Sequence, residues 1–257
     1  MSLELLLPVE EIAVAHTALQ SDLSLGRKIK IHTKKDGLPD LKNIQIAIIG
    51  ITENRGAVDN IGVGKGLEII RKYFYQMFPG NWHLNLADLG NIPQGSDIGD
   101  TYYLIQEVLG ELLEQNITPV IIGGSQDITY ANYRAYDRLQ KPVNIVSVDN
   151  RFDIGEMDPI LNAHNYLHYI VMDKPNNMFN YSNIGFQTFF NSQEEIDLMD
   201  KLYFEAYRLG EIAQDVTAVE PILRDADIVS VDLGAVRMSD APANNNAVPI
   251  QRFVSKT

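Results

Sequence analysis

Three aspartates and their neighbours carry the chemistry this sequence suggests. Asp149 and Asp153 fall in Asp149-Asn150-Arg151-Phe152-Asp153, directly after the apolar run Val143-Asn144-Ile145-Val146-Ser147-Val148. Asp232 follows a second such run, Ile228-Val229-Ser230-Val231. A third leads into Gly123-Gly124-Ser125-Gln126-Asp127. Carboxylates gathered on one rim repel one another, so they require a cation, a proton or an arginine among them. The competing reading is that each aspartate caps the turn or helix that follows it. Arg151 lies two residues from both Asp149 and Asp153. Its planar guanidinium could bridge the two carboxylates, with solvent as its alternative. Gln126, Asp127, Asp149, Asp153 and Asp232 together could also form an all-oxygen site for magnesium or calcium.

These residues meet only if the runs before them are neighbouring strands. Short β-branched runs at 44–50, 83–89, 118–123, 143–149, 183–187 and 226–233 read as strands. Between them, 67–78, 97–114, the stretch ending near 139, and 194–213 read as helices. In 67–78 the spacing puts Leu67, Ile70, Phe74 and Met77 on one side. Strands without strict alternation, each followed by a helix, predict a mostly parallel sheet covered on both faces: a doubly wound three-layer α/β/α domain. Ligands of such sheets bind beyond the carboxyl ends of the strands, where the three motifs, Asp88 and Gln187 fall. Residues 1–43 read as an N-terminal extension and Asn244-Asn245-Asn246 as a loop, with the whole of 1–257 a single domain. The chain ends about two dozen residues after its last clear strand, so its C-terminal part is expected to be absent.

Composition narrows the function further. Of 257 residues 45% are hydrophobic, which excludes global disorder. A net charge of −13 argues against nucleic acid or an anionic membrane as partner. The basic stretch from Arg27 to Lys35 reads as a solvated face. With no cysteine, thiolate metal sites, disulfides and a cysteine nucleophile are excluded. No Lys or Arg precedes Arg27 and no apolar run reaches membrane-span length, so a cytoplasmic location is expected. Gly62-Val63-Gly64-Lys65-Gly66 lacks the pattern of a phosphate loop, having Asp59 and Gly66 at the two deciding positions. His164 and His168 are four apart and could face zinc from one helix, but Asn165 stands where a metalloprotease needs Glu, and the flanking tyrosines favour packing. Asp88, Asp158 and Asp240 read as turn or cap residues.

The order of the motifs resembles the ureohydrolase family, which includes arginase, agmatinase and formimidoylglutamase. Its signatures Gly-Gly-Asp-His, Asp-Ala-His-x-Asp and Ser-x-Asp-x-Asp correspond to Gly123-Gly124-Ser125-Gln126, Asp149-Asn150-Arg151-Phe152-Asp153 and Ser230-Val231-Asp232-Leu233-Gly234. The loop from Asn54-Arg55-Gly56 to Gly64-Lys65-Gly66 resembles the family's glycine-rich entry to its first helix, and the likeness runs over roughly 40–240. It implies an arginase-like fold and a centre in which two histidines and four aspartates hold two manganese ions. By position this chain keeps Asp149, Asp153 and Asp232 but has Gln126, Arg151 and Gly234 at the other three ligand positions. The implied site is degenerate, with Asp127 nearby, Arg151 substituting for metal charge and no cofactor expected. The implied protein is inactive as an amidinohydrolase and retained for binding or assembly. The alternative is a working hydrolase of linear amidine or guanidine C–N bonds with manganese in a variant site. Asn162, His164 and Asn165 correspond to the family's substrate-binding loop. Because relatives assemble as trimers or hexamers, a homo-oligomer is expected; a small-molecule or protein partner stays open.

Overall fold

The computed structural model describes residues 2–58, 60, 62, 64–155 and 160–241. Asp59, Val63, Asp158 and Asn244 to Asn246 lie outside them. The chain folds as two compact units, one built up to Arg55 and from Gly62 to Ser125, the other from Gly56–Ile61 and from Gln126 onward.

The first unit holds strands β1 (Lys30–Ile31), β2 (Ile46–Ile51), β3 (Leu86–Ile92) and β4 (Thr118–Ile122) in a parallel sheet of order β1-β3-β2-β4. The region 1–43 is therefore part of the fold: β1 pairs with β3, and the short helices Glu11–Thr17 and Leu25–Lys28 precede it. Helix Ile98–Glu114 starts at a reciprocal capping box in which Asp97 and Asp100 each accept the other's backbone N–H. After β4, Gly123 has φ +85°, and a Cβ there would lie 2.8 Å from the Ile51 carbonyl oxygen, so the turn accepts only glycine.

Helix Leu67–Gln76 turns only part of its apolar stripe inward: Leu67 is buried and Phe74 packs against the core. Its buried residues are Leu67, Arg71 and Tyr75, whereas Ile70 and Met77 are 45% and 55% exposed. The cause is Arg71, which is 2% exposed. Its guanidinium grips Asp88 through Nε and Nη2 at 2.8 and 3.0 Å, and donates to Glu68, Asn91 and the Gly90 carbonyl. The Tyr75 hydroxyl donates to the same Asp88 at 2.8 Å. A buried charge pair holds only when its donors and acceptors are satisfied, and this one is, so it fixes which face turns inward. Asp88 is accordingly a buried anchor rather than a turn residue.

The second unit holds β5 (Val143–Val148), β6 (Met178–Phe186), β7 (Glu205–Arg208) and β8 (Ile228–Val231), again parallel, in the order β7-β6-β5-β8. On one face Val143, Ile145 and Tyr181 pack with Tyr133 of helix Ile128–Ala135 and Leu167 and Ile170 of helix Tyr166–Met172. On the other, Val146 and Ile184 pack with Ile212 of helix Leu209–Gln214 and Ile222 of helix Val219–Arg224. A parallel sheet covered on both faces is the three-layer α/β arrangement expected. The stretch 194–213 is not wholly helical: helix Gln193–Lys201 is followed by β7, a four-residue edge strand on β6.

Candidate functional site

The strand ends of the second unit bring Asp149, Asp153 and Asp232 to one pocket, with Gln126, His164 and Gly234 also on its wall and a volume of about 30 Å³. Asp149 is the first residue after β5. Its Oδ1 accepts the Arg151 backbone N–H at 3.0 Å, and its buried Oδ2 receives no donor among the described residues. Four residues on, Asp153 is 5% exposed and has φ +50°. Its Oδ1 meets His164 Nδ1 at 3.2 Å. Asp232 follows β8 and accepts the Gly234 N–H. Gln126 stands just before helix Ile128–Ala135. Its Nε2 reaches Ser147 and Ser230 Oγ and the Tyr166 hydroxyl only at 3.4–3.5 Å, so the amide is loosely held.

Electrostatically the pocket is a set of acids, with His164 beside them and the Arg151 charge drawing Asp153 only partly back. Burial pushes the Asp149 carboxyl well above its ordinary range, and the charges of Asp153 and Asp232 push it further. Burial and the Asp232 charge raise Asp153 to about 8. Burial also raises Asp232, while the Gly234 N–H and the nearby His164 pull it back. The two carboxyls act on each other: Asp153 raises Asp149, while Asp149 draws Asp153 down.

The arginine bridge expected between the aspartates is not formed. Arg151 is exposed; its Nη1 donates to the Phe190 carbonyl at 3.2 Å, and its guanidinium carbon lies 5.3 Å from the Phe190 ring centre. The aromatic face and a carbonyl offer the guanidinium a half-hydrated seat that the buried dyad does not. Asp127 does not line the pocket: it is fully buried against Gly56, where a Cβ would come within 2.4 Å of its carboxyl carbon. Asn162 and Asn165 organise their own loop. Asn165 Oδ1 accepts the Asn162 N–H, both amides donate to the Ile160 carbonyl, and Asn162 Oδ1 accepts the His164 N–H. Of that loop's three candidates, only His164 reaches the pocket wall. His168 instead packs edge-on against Tyr169.

Asparagines that the sequence did not single out frame the aspartate loop. Asn191 accepts the Phe152 N–H at 2.8 Å and donates to the carbonyls of Asn150 and Gln187. Asn183 on β6 donates to the Arg151 carbonyl, and Asn150 ties the end of β5 to Gly234 after β8 at 3.1 Å. Among the described residues, no group of three or more His, Asp or Glu side chains is spaced to hold a metal ion, and no helix is long and apolar enough to cross a membrane.

Parallel strands alternating with helices, and acids collected at the strand ends, define an α/β protein with its acids on the carboxyl rim. The arginase family profile matches residues 44–250, and the chain belongs to that family. Among curated relatives it is 24% identical over 132 residues to the formimidoylglutamase of Streptococcus gordonii and 25% identical over 132 residues to that of Staphylococcus haemolyticus. These matches take in 47% and 48% of this chain but 39% and 42% of the relatives, so it spans about two fifths of their length. Its fold is shared with Trypanosoma cruzi formiminoglutamase, solved with Mn2+, at a TM-score of 0.71 and 19% identity over 85% of this chain and 77% of that one. Bacillus subtilis formimidoylglutamase gives 0.73 and 18% over 84% and 74%. Proclavaminate amidinohydrolase from Streptomyces clavuligerus gives 0.71 and 19% over 88% and 81%.

Proposed function

We propose that this chain is an arginase-family protein whose paired-ion centre has decayed, that it does not hydrolyse linear amidines, and that it is retained for binding or assembly. The donor set at the rim carries the reading. Three aspartates face the pocket, but Gln126 offers an amide, Arg151 a guanidinium without a lone pair to give, and Gly234 no side chain. Hydrolysis by a metal pair needs two ions about 4 Å apart with an activated hydroxide. These residues do not fit a pair of manganese ions. What they offer is an acceptor-rich hollow that draws positive charge.

One observation favours the second reading, a hydrolase with a variant site: His164 Nδ1 lies 3.2 Å from Asp153 Oδ1, which keeps an imidazole at the rim beside the acids. Metal analysis of dialysed protein, with assays of formimidoylglutamate, arginine and agmatine in added manganese, separates the two. The proposal expects substoichiometric metal and no turnover; near-stoichiometric manganese or turnover refutes it. The variant Q126H/R151H/G234D is expected to acquire manganese, and if it binds none the positional correspondence is wrong.

A further inference from the structure

The second unit carries a larger cavity at the opposite end of its sheet from the aspartate rim. On the face covered by helices Leu209–Gln214 and Val219–Arg224, every second residue of a strand shares that face. The carboxyl halves of the strands are apolar there: Val146 and Val148 on β5 and Ile184 on β6 pack against Ile212 and Ile222. The amino halves are polar, with Asn144 on β5, Asn180 and Ser182 on β6 and Glu205 on β7. Each helix has only six residues, about 9 Å of length. The polar half of the face is left as the wall of a cavity of about 330 Å³, which Val146, Pro221 and Ile222 also line. Sites for small molecules begin at roughly 300 Å³ and mix apolar walls with a few placed polar groups in this way.

The charge of the cavity has one sign. Glu205 and Asp225 line it, and no lysine, arginine or histidine does. Glu205 is held in place: Ser182 Oγ, on a residue only 4% exposed, donates to its Oε2 at 2.9 Å, and the Tyr207 hydroxyl donates to the same oxygen at 3.0 Å. With both donors on Oε2, Oε1 has none among the described residues. Asp225 is placed by Asn144, whose Nδ2 donates to the Asp225 carbonyl at 3.0 Å, and its carboxylate likewise has no partner among the described residues. The adjacent Arg224 is paired with Glu220 instead. Glu205 lies on β7 and Asn144 on β5, with β6 between them, so the two acids stand on opposite walls on the order of 10 Å apart. We propose that this cavity binds a linear aliphatic diammonium ion, with one ammonium on Glu205, the other on Asp225, and the hydrocarbon chain along Val146 and Ile222. A carboxylate already oriented by a buried serine and a tyrosine loses little freedom when it accepts a cation. The site is separate from the aspartate rim and does not rest on the function proposed for it.

Isothermal titration calorimetry of the full chain with 1,6-diaminohexane tests it. Saturable binding of one equivalent is expected, weakened by added salt, about fivefold or more tighter than binding of 1-aminohexane, and absent with neutral 1,6-hexanediol. Glu205→Gln and Asp225→Asn should each bring the affinity for the diamine down to that for the monoamine. The rim acids also attract cations, so Asp153→Asn locates the binding and should leave it unchanged. Absence of saturable binding at millimolar diamine overturns the proposal, as does equal binding of the diol. Binding that survives Glu205→Gln, or that Asp153→Asn abolishes, overturns it too. Should the Glu205 variant melt early, nuclear magnetic resonance of the wild-type chain decides: the side-chain amide signals of Asn144 and Asn180 are expected to move on adding diamine, and their standing still refutes the site.

Discussion

Asp153→Asn tests the electrostatics of the rim most directly. The substitution keeps the shape of the side chain, and the left-handed backbone at φ +50° is one that asparagine adopts readily, so the backbone contributes little. What changes is the charge. The Asp153 carboxyl rises from 3.8 to about 8 on folding, chiefly through burial and then through the Asp232 charge. The folded state therefore holds its proton more tightly than the unfolded chain does. Below about pH 4 both states are protonated and the group contributes nothing. Between about pH 4 and 8 the unfolded chain releases the proton and the folded one keeps it, so stability falls as pH rises, and above that range the loss is constant. At about 1.4 kcal/mol per pH unit the ceiling is about 6 kcal/mol, reduced in practice because Asp149 shares the same proton. Urea denaturation from pH 4.5 to 8.5 should show the variant equal to wild type at the acid end and more stable by about 2 kcal/mol or more at the alkaline end. A gap that is absent, independent of pH, or of the opposite sign refutes the reasoning. Loss of stability in the variant only when manganese is present would instead mark Asp153 as a working ligand.

Further outcomes follow from other parts of the structure. Arg71→Met leaves Asp88 buried without its counter-charge and should cost about 3–5 kcal/mol in a denaturant melt, with Arg71→Met/Asp88→Asn recovering part of it. Arg151→Ala should change stability by less than about 1 kcal/mol, because its partners are an exposed carbonyl and a ring face; a larger loss would mean that the guanidinium reaches the aspartates after all. Asn191→Ala should cost about 1–3 kcal/mol by stripping the Phe152 N–H of its buried acceptor, as read by thermal unfolding. Gly234→Asp alone should destabilise, since its Cβ would stand 2.5 Å from Asp232 Oδ1 and force that carboxyl off the Gly234 N–H; the melting temperature is the measure.

The sequence showed the strands that bury both faces, because runs such as Ile46–Ile51 and Val143–Val148 have no solvent side to interrupt them. It missed β7, whose Glu205–Arg208 is a short edge strand with a polar rim and no such signal. It did not show which part of the apolar stripe of helix Leu67–Gln76 turns inward, since hydrophobic spacing has no means of registering a buried arginine whose partner Asp88 is seventeen residues away. At the site, the aspartates were legible from their position after apolar runs. The direction of Arg151 was not, because Phe190, which holds it, lies thirty-nine residues further along. For Asn191 there was no local cue at all: its role comes from where the end of β6 delivers it, next to the loop after β5.

The rim sets stability against retention. Asp149 and Asp153 are nearly inaccessible, and Asp149 Oδ2 finds no donor among the described residues, so each acid lowers the stability of the fold near neutral pH. Neutral side chains of the same size would remove that burden, and Asn183 and Asn191 hold the loop alongside the acids. The rim nevertheless gathers three aspartates, while Gln126 beside them offers an amide and the Arg151 guanidinium turns to Phe190. Buried acids of this kind attract positive charge. On the reading proposed above, attraction and activation are separate: the hollow would hold a cationic group against its carboxylates, and without a seated pair of ions nothing there would generate the hydroxide to attack it.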